Sequence, residues 1–306
     1  MENWGIIGHE HIIRFLEKSI VNQRLAHAYL FYGLPGLGKK PVAEKFAERL
    51  LGGEIGQSTE IYKLEVLEDK KEIGIEQVRS FRRALSLKSF TAAFKVGLIY
   101  EMEKLNQESG NALLKTLEEP SPKTVILMIA SDWQKLLPTI VSRSQLVKFL
   151  PVPKKELAKA LQSKVASASR LKEILNLAQG RPGLAVPLAQ EEQFFENFRQ
   201  FERLIFEVLK SPLDKRWQIL DQFLEKLPDL KAKAKAAFNF LNQLEAALRT
   251  ILFKNYQLDL LGGQEPAVKL STPKLLRLFQ LTGVAKDYLN SNVQPRLILE
   301  NLFLNL

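Results

Sequence analysis

Residues 33–40 read Gly-Leu-Pro-Gly-Leu-Gly-Lys-Lys, and the segments on either side limit what this stretch can become. Before it stands Ala28-Tyr29-Leu30-Phe31-Tyr32, a short apolar run with the pattern of a buried strand. After it, residues 39–51 place Val42, Phe46 and Leu50 at helical spacing. A strand that turns through a glycine-rich loop into a helix is the context of a phosphate-binding loop. Backbone N–H groups and the helix N-terminus there surround phosphate oxygens, and a lysine neutralises them. Gly33, Gly38 and Lys39 meet the pattern G-x-x-x-x-G-K-[ST], with Gly36 inside the loop; Lys40 does not meet it. A hydroxyl at that last position would hold Mg²⁺. The chain keeps the form of a nucleotide site and lacks one part that hydrolysis requires.

The alternation of strand and helix extends well beyond the loop. Residues 9–24 carry Ile12, Ile13, Phe15, Leu16, Ile20 and Val21 at helical spacing. Ile61–Leu67, Lys95–Tyr100, Thr124–Ile129 and Gln145–Phe149 read as strands, with helices over Ile75–Leu87 and Ser109–Glu118. Apolar strands separated by helices predict a parallel sheet covered on both faces. After Pro151-Val152-Pro153 helical periodicity runs to Leu306, with a polar junction around Gln190-Glu191-Glu192-Gln193. The expected division is an α/β domain over 1–152, a small helical segment over 153–192 and an all-α domain over 193–306.

Composition narrows the partners and the chemistry. The 306 residues contain no cysteine, which excludes disulfides, cysteine nucleophiles and thiolate zinc sites and suits a cytoplasmic protein. No apolar run reaches the roughly 18 residues of a membrane span, and the N-terminus lacks the pattern of a signal peptide. A net charge of +10 favours a polyanionic partner.

A working nucleotide site needs a second motif, an apolar strand ending in an acidic pair. Here Val96-Gly97-Leu98-Ile99 leads to Tyr100-Glu101, so Glu101 is present and Tyr100 stands at the metal-side position. Two magnesium-side groups are thus replaced, at Lys40 and at Tyr100. On the helix after Ile75, Arg79, Arg82 and Arg83 share a face, with Lys88 beyond them. These arginines are candidates for phosphate contacts to nucleic acid. Of the three histidines, His9, His11 and His27, the last precedes a buried strand and is expected to make a structural hydrogen bond.

Several further segments carry a family resemblance when taken in order. They are Ile7-Gly8-His9-Glu10, His27–Phe31, the glycine loop, Ile73–Arg79, Glu103-Lys104-Leu105-Asn106, Asn111–Pro120, Leu136–Ile140 and Ser142-Arg143-Ser144. Over roughly residues 5–150 the chain resembles the AAA+ clamp-loader family of the bacterial DNA polymerase III holoenzyme, within it the delta-prime branch. The resemblance implies a P-loop α/β domain, a helical lid and a helical collar that mediates oligomerisation. It implies a pentameric partner set of gamma/tau-like ATPase subunits and a delta subunit, acting on a sliding clamp and primed DNA. The family's Ser-Arg-Cys motif reads Ser142-Arg143-Ser144 here, which retains the arginine finger given in trans to a neighbour's ATP. Asp132 falls at the sensor-1 position. In the sensor-2 segment the arginine of active loaders is replaced by Gly183, with Arg181 offset by two.

The resulting expectation is a non-hydrolysing stator that requires no cofactor. The loop leaves room for weak ATP or ADP binding without turnover, and no zinc or other metal is expected. Two alternatives remain open from the sequence: an active gamma/tau-like ATPase, and a DNA-binding module with a vestigial loop.

Overall fold

A computed structural model of the chain describes residues 4–67, 70–87, 94–256, 270–291 and 293–306. Two compact units emerge, one of residues 1–163 and 178–186, the other of residues 164–177 and 187–306.

The first unit begins with helix α1 (Glu10–Val21), strand β1 (Ala28–Tyr32) and helix α2 (Lys39–Leu51). It continues through β2 (Ile61–Leu64), α3 (Ile75–Ser86), β3 (Lys95–Ile99) and α4 (Gln107–Glu118). Then come β4 (Thr124–Ala130), the short α5 (Pro138–Val141), β5 (Gln145–Lys148) and α6 (Lys154–Leu161). The five strands form one sheet in the order β2-β3-β4-β1-β5, and every pairing is parallel.

The strand residues divide by parity because successive side chains point to opposite faces. Tyr29, Phe31, Val96, Leu98, Val125 and Leu127 join Ile12, Leu16 and Phe46 in one core. Ala28, Leu30, Ile99, Ile126 and Met128 join Val78, Phe81, Leu85, Leu113 and Leu117 in the other. Both faces are covered, which is why β3 and β4 are buried along their whole length. Phe46 is completely buried, with its ring edge-on to Tyr29 at 5.3 Å. Burial of a side chain of that size contributes about 1.5–3 kcal/mol. Gly97 lets α3 approach the sheet, since a Cβ there would lie 2.6 Å from Phe81 Cζ.

The register sets the site. Tyr32 is aligned with Ala130 on one side and Lys148 on the other, and Ile99 with Met128. The glycine loop after β1, Tyr100-Glu101 after β3 and Ser131-Asp132 after β4 therefore emerge at the same carboxyl edge of the sheet. Open parallel sheets bind their ligands at that edge.

Helices α7 (Ala168–Ala178) and α8 (Pro182–Gln190) each run from one unit into the other. The rest of the second unit is helical: α9 (Glu192–Lys210), α10 (Leu213–Glu225), α11 (Leu230–Asn255), α12 (Thr272–Asn290) and α13 (Pro295–Asn305). Its core gathers Leu220, Phe240, Leu244, Leu278, Leu302 and Phe303. Arg216 ties helix ends together, donating Nε–H to Val208 O (3.1 Å) and an Nη1–H to Phe303 O (2.9 Å). Those carbonyls belong to last turns, which have no partner within their own helices. Among the described residues no helix is long and apolar enough to cross a membrane.

Candidate nucleotide site and arginine edge

The loop between β1 and α2 is built as a phosphate cradle. Gly33, Gly36 and Gly38 have φ of 139°, 81° and 94°, a region that side-chain-bearing residues rarely adopt. At Gly33 a Cβ would in addition lie 2.5 Å from Phe149 O. His9, just before α1, braces the loop: its ring packs on Phe149 and its Nε2–H donates to Leu37 O at 2.7 Å. Burial lowers the His9 pKa, which favours the neutral ring. Lys39 is buried, and its ammonium donates to the loop's own carbonyls, Gly33 O and, at 2.8 Å, Leu34 O. Burial pushes its pKa down to about 8, with the nearby Glu103 carboxylate acting against the shift.

Glu103 enters the sequence reading only within the segment Glu103–Asn106 and with no site role, yet it is the acid whose charge acts on Lys39. Its Oε1 also accepts from both the N–H and the hydroxyl of Ser131, which ties the β3 and β4 tips together. Glu101 stands at φ 53° and is exposed, before the 3₁₀ turn Met102–Lys104. Asp132 caps the next 3₁₀ turn, accepting from Gln134 N at 2.9 Å. The E-x-E spacing of Glu101 and Glu103 is the visible signal, but only the pairing of β3 with β4 brings Glu103 to Ser131.

The two replaced magnesium-side residues meet each other. The Lys40 ammonium lies 4.5 Å from the centroid of the Tyr100 ring, a cation–π contact. Tyr100 is buried, and its hydroxyl donates to Glu44 Oε1 at 2.8 Å. Burial, then the Glu44 hydrogen bond, raises the phenol's pKa far above neutrality. Glu44 lies one helical turn after Lys40, so both flank the same ring.

The start of α8 sits directly on the loop. Gly183 N–H donates to Gly36 O at 2.8 Å, and a Cβ at Gly183 would be 3.0 Å from that oxygen and 3.2 Å from Gly36 Cα. The chain is led there by a tight turn in which Gly180 O accepts from Val152 N at 2.8 Å. Arg181 runs beside the loop, its Nε–H donating to Ala178 O at 2.9 Å.

Arg143 follows α5 and precedes β5, the edge strand. Its guanidinium is partly exposed and is held by Glu118 Oε1 at 2.8 Å and by Thr139 O at 3.1 Å. Arg79, Arg82 and Arg83 do converge, in an open cleft of about 460 Å³ that also takes in Lys115, Thr116, Glu119 and Ser121. Arg79 pairs with Glu76, and Arg82 donates to Thr116 Oγ1 at 3.2 Å. Lys88 lies outside the described residues. The hydrogen bond expected of the His27 side chain is not made at Nε2, which is buried without a partner among the described residues. The backbone bonds instead, His27 O accepting from Ile126 N at 2.8 Å, because His27 continues the β1–β4 ladder.

A family model described as DNA polymerase III, delta subunit, matches residues 8–153. DNA polymerase III subunit delta' of Pseudomonas aeruginosa is 34% identical over 220 residues, 63% of this chain and 66% of that protein. DNA polymerase III subunit tau/gamma of Haemophilus influenzae is 35% identical over 155 residues, 45% of this chain and 22% of that protein. The chain thus spans just under two thirds of the first relative and about a fifth of the second. Among solved structures, a DNA polymerase III gamma subunit-related protein of Thermotoga maritima aligns with a TM-score of 0.54 at 19% identity. It covers 94% of this chain and 97% of that one, and shows the fold alone.

Proposed function

The chain belongs to the delta-prime clamp-loader family of DNA polymerase III, and on that premise we propose that it acts as a non-hydrolysing stator of a clamp loader. In this reading it assembles with gamma/tau-like ATPase subunits and a delta subunit in the cytoplasm. The assembly places a sliding clamp on primed DNA. The observation that carries the reading is the Lys40–Tyr100 contact, which puts a cation and a phenol ring where a hydrolysing site needs a hydroxyl and a carboxylate. The same contact disfavours an active gamma/tau-like ATPase.

Arg143 then works outside its own site. A guanidinium neutralises charge that develops on the γ-phosphate in the transition state, and in known cases contributes a factor of about 10³–10⁵ in rate. Its place beside the edge strand, on a partly exposed ion pair, suits a residue that reaches a neighbour. Exposed Leu276, Val284, Tyr288, Leu297 and Leu304 on α12 and α13 suit a collar that assembles with other chains.

Arg143→Ala should leave assembly intact and slow the neighbour's hydrolysis by about 10³-fold or more. Arg143→Lys should not restore it, because an ammonium lacks the planar fork. The measurement is DNA- and clamp-stimulated ATP hydrolysis by the reconstituted complex. An unchanged rate sinks the finger role.

A second reading concerns nucleic acid. The convergence of Arg79, Arg82, Arg83 and Lys115 in one cleft favours phosphate contacts made within the assembly. Tight, salt-dependent DNA binding by the chain alone would instead favour an independent DNA-binding module.

A further inference from the structure

The fold family implies a nucleotide with Mg²⁺ at this loop, and the residues present fit the polyphosphate but not the ion. The glycine cradle is formed, and Lys39 is buried beneath it. An ammonium has three N–H donors, and two loop carbonyls take two of those of Lys39. The ion's side of the site is differently made. A divalent cation there would face the Lys40 ammonium, which repels it. Tyr100 offers a neutral phenol already committed to Glu44, and Glu44 is engaged by that phenol. Hard cations need oxygen ligands, several of them anionic, and these side chains supply a cation and a ring instead.

We propose that Lys40 is the resident counter-cation of this loop, which takes a nucleoside di- or triphosphate free of Mg²⁺. Lys39 and Lys40 are consecutive at the N-terminus of α2, where the helix dipole also favours negative charge. The first turn of α2 carries no acidic residue, and Glu103, the acid whose charge reaches Lys39, is engaged by the Ser131 N–H and hydroxyl. Lys40 is exposed and, among the described residues, rests over the Tyr100 face, so its long stem can carry the ammonium to a phosphate oxygen. Tyr100 and its Glu44 bond keep the ammonium parked at the mouth of the cradle. This inference rests on the reading that the chain's own loop does not hydrolyse ATP.

The test is equilibrium binding of ADP and ATP to the full chain, by titration calorimetry, in EDTA and in excess Mg²⁺. Affinity in EDTA should equal or exceed that in Mg²⁺, because the ion takes up the phosphate charge that Lys40 needs. Lys40→Thr should weaken binding in EDTA by about tenfold or more, the size of one lost charge-assisted hydrogen bond. Lys40→Arg should retain it. Combining Lys40→Thr with Tyr100→Asp should make binding depend on Mg²⁺. Binding by the unaltered chain that requires Mg²⁺, no binding in either buffer, or Lys40→Thr affinity unchanged in EDTA would each overturn the proposal. Mg²⁺-dependent turnover by the chain alone would overturn the stator reading as well; absent metal-free binding without turnover removes only this inference.

Discussion

Replacing a glycine by alanine inside a helix normally stabilises, by about 0.5–1 kcal/mol, because alanine loses less backbone freedom on folding. Gly183→Ala should do the opposite. The new Cβ would stand 3.0 Å from Gly36 O and 3.2 Å from Gly36 Cα, and both are backbone atoms of the phosphate cradle. They cannot turn aside as a side chain would, so the start of α8 must lift by a few tenths of an ångström or more. Overpacking of this kind costs about 1–3 kcal/mol. Lifting also stretches the Gly183 N–Gly36 O bond of 2.8 Å, which contributes roughly 0.5–1.5 kcal/mol. With the helix-propensity gain subtracted, the net destabilisation is on the order of 1–3 kcal/mol. Gly283, in α12, is the matched control, since a Cβ added there meets nothing within 4 Å. Gly283→Ala should stabilise by about 0.5–1 kcal/mol. Urea unfolding midpoints of the two variants should therefore move in opposite directions. Hydrogen exchange of a peptide covering 178–186 should quicken only in Gly183→Ala. If Gly183→Ala stabilises the chain as Gly283→Ala does, α8 is not seated on the loop. The same geometry accounts for glycine at this position: a side chain there has to displace the cradle.

The depressed Lys39 pKa gives polyphosphate binding a pH limit. The ammonium is protonated below about 8 and neutral above it, so affinity should be level up to that pH and then fall by about tenfold per pH unit. Titrations with ADP across the interval check this, and a level affinity through about pH 9 would refute it. Glu118→Gln frees the arginine edge. An ion pair between side chains 36% and 46% exposed is worth roughly 0.2–1 kcal/mol, so stability should barely change. Unstimulated ATP hydrolysis by the reconstituted complex should rise by no more than about fivefold, the rate equivalent of that energy. A loss like that of Arg143→Ala would mean that Glu118 aims the arginine instead of restraining it.

The strands are legible to within a few residues because each is a short apolar run with both faces buried, a pattern carried by neighbours in sequence. The run Ile61–Leu67 overstates its strand, which ends at Leu64, where pairing with β3 at Ile99 stops. The glycine loop is legible for the same local reason, since its strand, turn and helix are contiguous. Glu103 escapes a sequence reading because nothing next to it in the chain gives it a partner; Ser131 is 28 residues on.

By itself the sequence determined which atoms the site has: the glycines that permit positive φ, the loop lysine, Lys40 and Tyr100 where the motifs call for a hydroxyl and a carboxylate, and the arginine of Ser142-Arg143-Ser144. Tertiary structure alone decided how the substitutions relate. Parallel pairing of β3, β4 and β1 brings their carboxyl ends to one edge, and only there does Lys40 find the Tyr100 ring and Gly183 the cradle. Side-chain identity is local information, whereas a contact between distant residues exists only after the sheet has set the register. Lys40 and Tyr100 read separately as two missing ligands; in the fold they form one contact, which sets a positive charge beside the loop.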